Sequence, residues 1–226
     1  MKVFISDLHL GDGSRTDDFS RDRELLEFLD FIETEDAELI ILGDFLELWQ
    51  ADLDRILFAH AKVIERLLKL NGKLTYVIGN HDYIPFIRYT ELGLGVCQEY
   101  HSSSLALIAE HGHKYDIFNR YKNPLRAVQW PPGMYFTLAV AYLERFIHPD
   151  IDQWAKNAIL RFDDFTQKAI SLKNKVNPSS SEYVKRGGHF GEFTRAVKAH
   201  IAKGIKVVVF GHTHNAQLEA IGTGIY

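Results

Sequence analysis

Short apolar runs recur along the chain, separated by stretches in which apolar positions fall three or four residues apart. Lys2 to Ser6, Glu38 to Leu42, Lys73 to Ile78 and Lys206 to Phe210 belong to the first kind, rich in Val, Ile, Leu and Phe. Unbroken hydrophobicity over so few residues predicts strands whose sheet is covered on both faces. Arg21 to about Thr34 belongs to the second kind. There Leu25, Phe28, Leu29 and Ile32 share one face and predict an amphipathic helix linking the first two strands. A longer helix is predicted from about Leu53 to Leu70, with Leu53, Ile56, Val63, Leu67 and Leu68 on one side and Asn71-Gly72 closing it. His60 shares that apolar face and reads as a core or boundary histidine.

The strand and helix alternation ends after Ile78. Val96 to Tyr100 and Leu105 to Glu110 read as strands joined through Ser102-Ser103-Ser104, which predicts a second sheet of mixed direction. From about Tyr121 to Lys203 the strand pattern is absent. Met134 to Leu143 is apolar almost all round, Ile151 to Ala169 carries a helical stripe, and Glu192 to Lys203 predicts another helix with Phe193, Val197 and Ile201 inward. Gln217 to Tyr226 reads as an outgoing strand. The expected architecture is α/β, an α+β sandwich of two packed mixed β-sheets flanked by helices. Residues 1–120 and 204–226 form its core, and 121–203 form a helical insertion. That insertion is expected to act as a lid, with Trp130, Met134, Tyr135, Leu138, Tyr142 and Trp154 lining an apolar part of the substrate pocket.

The candidate chemistry lies at the strand ends. Asp7 and His9 follow the first run at i and i+2, an arrangement that places both side chains on one side of an extended backbone. Gly43-Asp44 follows the second run, with Glu47 three residues on. Gly79-Asn80-His81-Asp82, His111-Gly112 and Gly211-His212-Thr213-His214 follow later runs, and five of the eleven histidines sit in these segments. Pooled, Asp7, His9, Asp44, Asn80, His111, His212 and His214 offer oxygen and imidazole donors without a thiolate. That set suits Mn, Fe, Ni or Zn and is too rich in nitrogen for a pure Mg or Ca site. It also exceeds the needs of one ion. Two divalent ions about 3.5 to 4 Å apart, bridged by one carboxylate, would use all seven, and such a pair binds a phosphoryl group while generating hydroxide near neutral pH.

Bulk properties narrow the picture. The 226 residues, 46% hydrophobic and 25% charged, describe an ordinary globular chain. A net charge of −4 and a pI near 6.3 give no general reason for a nucleic acid or an anionic membrane as partner. Lys173, Lys175, Lys185, Arg186, Arg195 and Lys198 read as solvated helix faces, so a nuclease is the less favoured class. The single Cys97 excludes an intrachain disulfide, and Met1 to Ser6 leaves no apolar leader before Asp7, so a cytoplasmic location is expected. No run approaches the roughly 20 apolar residues of a membrane span, which leaves peripheral membrane contact open.

The ordered segments Asp7-x-His9, Gly43-Asp44-x-x-Glu47, Gly79-Asn80-His81-Asp82, His111-Gly112 and Gly211-His212-x-His214 together resemble the calcineurin-like metallophosphoesterase superfamily. The resemblance implies a β-sandwich flanked by helices and a dinuclear hydrolase, with manganese the foremost candidate for its ions. It implies a first ion held by Asp7, His9 and His214, a second by Asn80, His111 and His212, and Asp44 as the bridge. It places His81 beside the leaving group as a catalytic residue, with Glu47 as its orienting carboxylate, where family members often have Asp. Ser6-Asp7-Leu8-His9-Leu10-Gly11, the segment Gly43 to Trp49 and the apolar insertion further resemble the UDP-2,3-diacylglucosamine hydrolases of lipid A synthesis. Those enzymes usually carry arginine where this chain has His81. The implied substrate is a small-molecule or lipid-linked phosphoester or pyrophosphate.

Overall fold

The computed structural model describes residues 1–14, 17–70, 72–82, 94–116, 132–146, 191–214 and 218–225. The chain divides into two compact units, Met1–His113 with His200–Tyr226, and Lys114–Ala199.

In the first unit the apolar runs become strands. β1 (Lys2–Ile5), β2 (Glu38–Leu42), β3 (Leu74–Val77) and β4 (Gly95–Cys97) form a four-stranded sheet in that order. All its pairings are parallel, with Val3 opposite Leu39 and Leu39 opposite Leu74. Helices α1 (Asp22–Thr34), α2 (Leu53–Ala59) and α3 (Ala61–Lys69) make the crossovers. The second sheet has the order β5-β6-β7-β9-β8, from β5 (Tyr100–Ser102), β6 (Leu107–Glu110), β7 (Val207–Phe210), β8 (Ala220–Ile221) and β9 (Gly224–Ile225). It mixes directions: β6 and β7 run parallel, whereas β5 pairs antiparallel with β6 and β8 with β9.

Alternate residues of β2 show how the layers are held. Leu39 and Ile41 join Leu29, Ile32, Ile56, Val63 and Leu67 in the core between the first sheet and its helices. Ile40 and Leu42 point the other way, into a smaller core with Val77, Leu107 and Ala109 between the two sheets. Burying one such aliphatic side chain contributes about 1.5–3 kcal/mol, so β2, apolar on both faces, is the strand on which both layers depend.

Three expectations change. The long helix is two: His60 leaves helical geometry at φ −109°, ψ 30°, although His60 N still donates to Ile56 O and Ile64 N to His60 O, both at 3.0 Å. Its ring is tied down by Asp22, with Nδ1 2.7 Å from Oδ1, and is buried as the sequence suggested. Val96 to Tyr100 is not one strand. β4 ends the first sheet at Cys97 and β5 opens the second at Tyr100, so the segment changes sheets between them. Gln217 to Tyr226 contains a short hairpin, β8 with β9, instead of a single strand.

The second unit contributes helix α4 (Pro132–Phe146), and α5 (Gly191–Ala202) carries the chain onward to the first unit. On α5 Phe193 and Val197 are buried, as its spacing predicts. Met134 and Leu138 on α4 are partly buried, whereas Tyr135 and Tyr142 are exposed. The stripe from Ile151 to Ala169, together with Trp130, Trp154, Asn71, Lys173, Lys175, Lys185 and Arg186, lies outside the described residues. No described helix is long and apolar enough to cross a membrane.

Candidate functional site

β1, β2, β3, β6 and β7 deliver the candidate residues from their carboxyl ends. Backbone pairing outlasts the first two strands: Asp7 N donates to Gly43 O, His9 N to Asp44 O at 2.9 Å and Leu10 N to Phe45 O at 2.8 Å. Glu47 N returns a bond to Leu10 O, so segments 7–10 and 43–47 lie side by side. The chain there is not extended. Asp7, His9, Asp44, His212 and His214 all have φ between 50° and 71°. Only two other non-glycine residues among those described, Asp36 and Ala106, share that left-handed region. Each such residue costs of order 1 kcal/mol, so the strain is concentrated where side chains converge. Asp7 and His9 do come together, through successive left-handed turns in place of the expected extended backbone.

Glycine is required beside Asp44. A Cβ on Gly79 would lie 2.1 Å from Asp44 Oδ1, and one on Gly43, at φ 78°, would lie 2.5 Å from Gly79 N.

Three groups of donor atoms result among the described residues: Asp44 with His111 and His212, Asp7 with His9 and His214, and His9 with Glu47 and His81. In the first, Asp44, His111 and His212 place one ligand atom each within 4.8 Å of one another. His111 Nδ1 lies 2.7 Å from Leu42 O. A carbonyl only accepts, so Nδ1 carries a proton, and whenever the ring is neutral its lone pair lies at Nε2. That atom faces Asn80 Oδ1 at 3.0 Å, Asp44 Oδ2 at 3.1 Å and His212 Nδ1 at 3.2 Å. Asp44, Asn80 and His111 are each 1% exposed. Electron-rich atoms so close and so buried need a positive charge among them, either a proton or a metal ion. Burial opposes a charged His111, yet the Asp44 carboxylate prevails and lifts its pKa to about 9. Burial likewise opposes ionised Asp44, but the neighbouring His111 holds it well below the usual range.

The second group is Asp7, His9 and His214, again within 4.8 Å. Asp7 Oδ1 lies 3.3 Å from His214 Nε2, and the Asp7 carboxylate accepts bonds from the Ser6 hydroxyl and from His212 N at 2.9 Å. His9 Nδ1 lies 2.9 Å from Glu47 Oε2, which directs the ring's proton to that nitrogen. His9 Nε2 is buried and meets no hydrogen-bond partner among the described residues. A buried lone pair beside a carboxylate and a second imidazole fits a metal ligand. Burial opposes ionised Asp7, but the bond to His214 keeps its pKa lowered; burial also opposes charge on His9, but Glu47 keeps its pKa raised.

Glu47 links this group to His81. Its Oε2 also lies 2.7 Å from His81 Nδ1, and Oε1 accepts from Trp49 N at 3.2 Å. Burial opposes its charge, but His81 and His9 hold its pKa at about 2. His81 N donates to Asp44 Oδ1 at 2.8 Å, and the ring's Nε2 stands 4.0 Å from Asp44 Oδ2. All nine expected site residues thus lie in one neighbourhood.

Sequence reasoning missed three connections: the bond from Glu47 to His9, the Trp49 ring stacked on His81, and the work of Asp82. Asp82 is buried and accepts from Gly79 N at 2.6 Å, Tyr76 Oη at 2.6 Å and Phe45 N at 3.1 Å, tying the β2 and β3 loops together. Burial, with Asp44 nearby, pushes its pKa up to about 6. Its place at the end of Gly79-Asn80-His81-Asp82 was the available signal.

The family model for calcineurin-like phosphoesterases matches residues 3–216. A UDP-2,3-diacylglucosamine hydrolase from Psychromonas ingrahamii is 34% identical over 113 residues, covering 48% of this chain and 40% of that protein. The chain therefore spans less than half the length of that curated relative. A crystal structure of the Pseudomonas putida nuclease MPE is similar at 27% identity and a TM-score of 0.36, covering 49% of this chain and 53% of that one.

Proposed function

We propose that this chain, a member of the calcineurin-like phosphoesterase family, is a phosphoric ester hydrolase that cleaves a phosphoester or pyrophosphate bond with two divalent transition-metal ions. Asp7, His9 and His214 would hold one ion, Asn80, His111 and His212 the other, and Asp44 would bridge them. The observation that carries this reading is His111 Nε2, which faces two buried oxygens, Asn80 Oδ1 and Asp44 Oδ2, while Nδ1 is committed to Leu42 O. Mixed oxygen and imidazole donors suit Mn, Fe, Ni or Zn, and the family resemblance puts Mn first. Such ions neutralise phosphoryl oxygens and acidify a water nucleophile.

The chain's own residues supply orientation and a proton. Ser6 and His212 N fix the Asp7 carboxylate, and Leu42 O fixes the His111 ring, so both reach the reaction already aimed. His81 is bound to Glu47 at Nδ1, which leaves Nε2 as the atom that hands a proton to the departing oxygen. Phosphoryl transfer asks little covalent help of a protein, so positioning and the leaving-group proton are its main contributions.

Residues 121–203 serve in this reading as a helical insertion between residues 1–120 and 204–226 that offers the substrate apolar contacts. Exposed Tyr135, Phe136 and Tyr142 on α4 give it apolar and aromatic surface. The similarity to the Psychromonas enzyme supports, as the second reading, a lipid-linked nucleotide pyrophosphate as substrate. Metal analysis of the purified protein, with a panel of phosphomonoesters, diesters and nucleotide-sugar pyrophosphates, tests both readings. Transition metal bound and one class turned over is the expected result. Protein that takes up no metal and hydrolyses none of the panel would overturn the proposal.

A further inference from the structure

Trp49 is buried, 5% exposed, and among the described residues it joins neither of the two apolar clusters on the faces of β2. Its partner is His81: the two rings are stacked, with centroids 3.6 Å apart and planes 21° from parallel. The indole N–H is buried and meets no acceptor among the described residues. A hydrogen bond from the ring therefore does not explain its place, whereas packing against the imidazole face does.

His81 has a second restraint at Glu47 and a third at His9, whose ring meets it edge-on at 4.5 Å and 84°. The bond from Nδ1 to Glu47 pins one point of the imidazole but leaves the ring free to rock about that point. A flat surface against its face removes that motion. Glu47 organises the arrangement, because Oε2 takes the His81 ring while Oε1 takes the Trp49 backbone N–H. We propose that Trp49 is a positioning residue whose indole fixes the plane of His81 and so presents Nε2 on the Asp44 side. The inference rests on the reading of His81 as the proton donor to the leaving group.

A cycle of variants in the metal-loaded enzyme tests it: Trp49→Met, Trp49→Phe, His81→Ala and Trp49→Met/His81→Ala, each assayed on an alkyl phosphoester and on a p-nitrophenyl ester. Metal content is measured alongside. Misplacing a catalytic group by a fraction of its reach costs about 10- to 100-fold, so Trp49→Met should lose that much kcat on the alkyl ester and far less on the p-nitrophenyl ester, with metal content unchanged. Phe offers a flat face without the N–H and should recover most of the rate. In the His81→Ala background the Met substitution should add almost nothing. A Phe variant as slow as the Met variant, additive losses in the double variant, or equal losses of Trp49→Met on both substrates where His81→Ala discriminates between them, would each overturn the positioning role. If Trp49→Met does not fold, Trp49→Leu takes its place in the same cycle. His81→Ala read alone separates the two claims. If it slows both substrates alike, the proton-donor reading fails, while coupling between the two positions still supports positioning and additivity still contradicts it.

Discussion

The Asp44 and Asp7 donor groups differ in how much the protein has prepared them. The Asp44 group is enclosed: Asp44 and His111 are almost inaccessible, and His111 is locked by Leu42 O. The Asp7 group is open on one side, with the His214 side chain 59% exposed and that of Asp7 12%. An enclosed, pre-aimed set spends little on ordering when an ion arrives, and an electron-rich cluster that burial makes unfavourable gains most from the positive charge. An open set with an exposed ligand gains less and releases its ion more readily. In the proposed two-ion reading the enclosed group would retain its ion and the open group would exchange it, with Asp44 between them.

The largest effect should come from breaking the joint. Asp44→Asn removes the charge that faces both groups, and turnover should fall by at least about 10³-fold, since two-ion catalysis depends on the pair acting together. A variant with normal turnover would show that the groups act separately.

Next in size is the contrast between single ligands. His111→Ala should lower the melting temperature measured with metal present and erase most of the rise that metal produces, since an ion at 100 times its Kd contributes about 2.7 kcal/mol. His214→Ala should leave that temperature nearly unchanged and weaken uptake of only one ion. Equal effects of the two substitutions on melting would abolish the distinction between enclosed and open groups.

A smaller effect is expected at Ser6, which touches Asp7 without belonging to either group. Ser6→Ala should weaken one ion by about 10-fold or somewhat more, the usual scale for a group that orients a ligand, with saturating metal restoring the rate. Failure of added metal to rescue the rate would place Ser6 elsewhere in the reaction.

This contrast between the groups was invisible in the sequence, where the chemistry of the residues gave one pooled set of donors and only the family resemblance divided it. The strands were legible because β1, β2, β3 and β7 are apolar on both faces, and the order of Asp, His, Asn and His at their ends carried the chemistry. Asp and His tolerate the left-handed region better than most residues, but with no glycine at Asp7, His9, Asp44, His212 or His214 the sequence reading placed Asp7 and His9 on extended backbone. The reading of Asp7 and His9 as neighbours on an extended strand reached the right pairing by the wrong geometry. The change of sheet between Cys97 and Tyr100 was marked by neither glycine nor proline, only by the two successive polar residues Gln98 and Glu99. Trp49 looked like one more apolar residue after Glu47; only three-dimensional contact shows that its partner is an imidazole.

The most direct test of the two-ion centre is titration of metal-free protein with Mn, following heat and bound metal together. Two ions per chain, taken up in two steps of distinct affinity, with both steps weakened in Asp44→Asn, is the predicted result. One ion per chain, or two ions whose affinities the Asp44 substitution leaves unchanged, would contradict it.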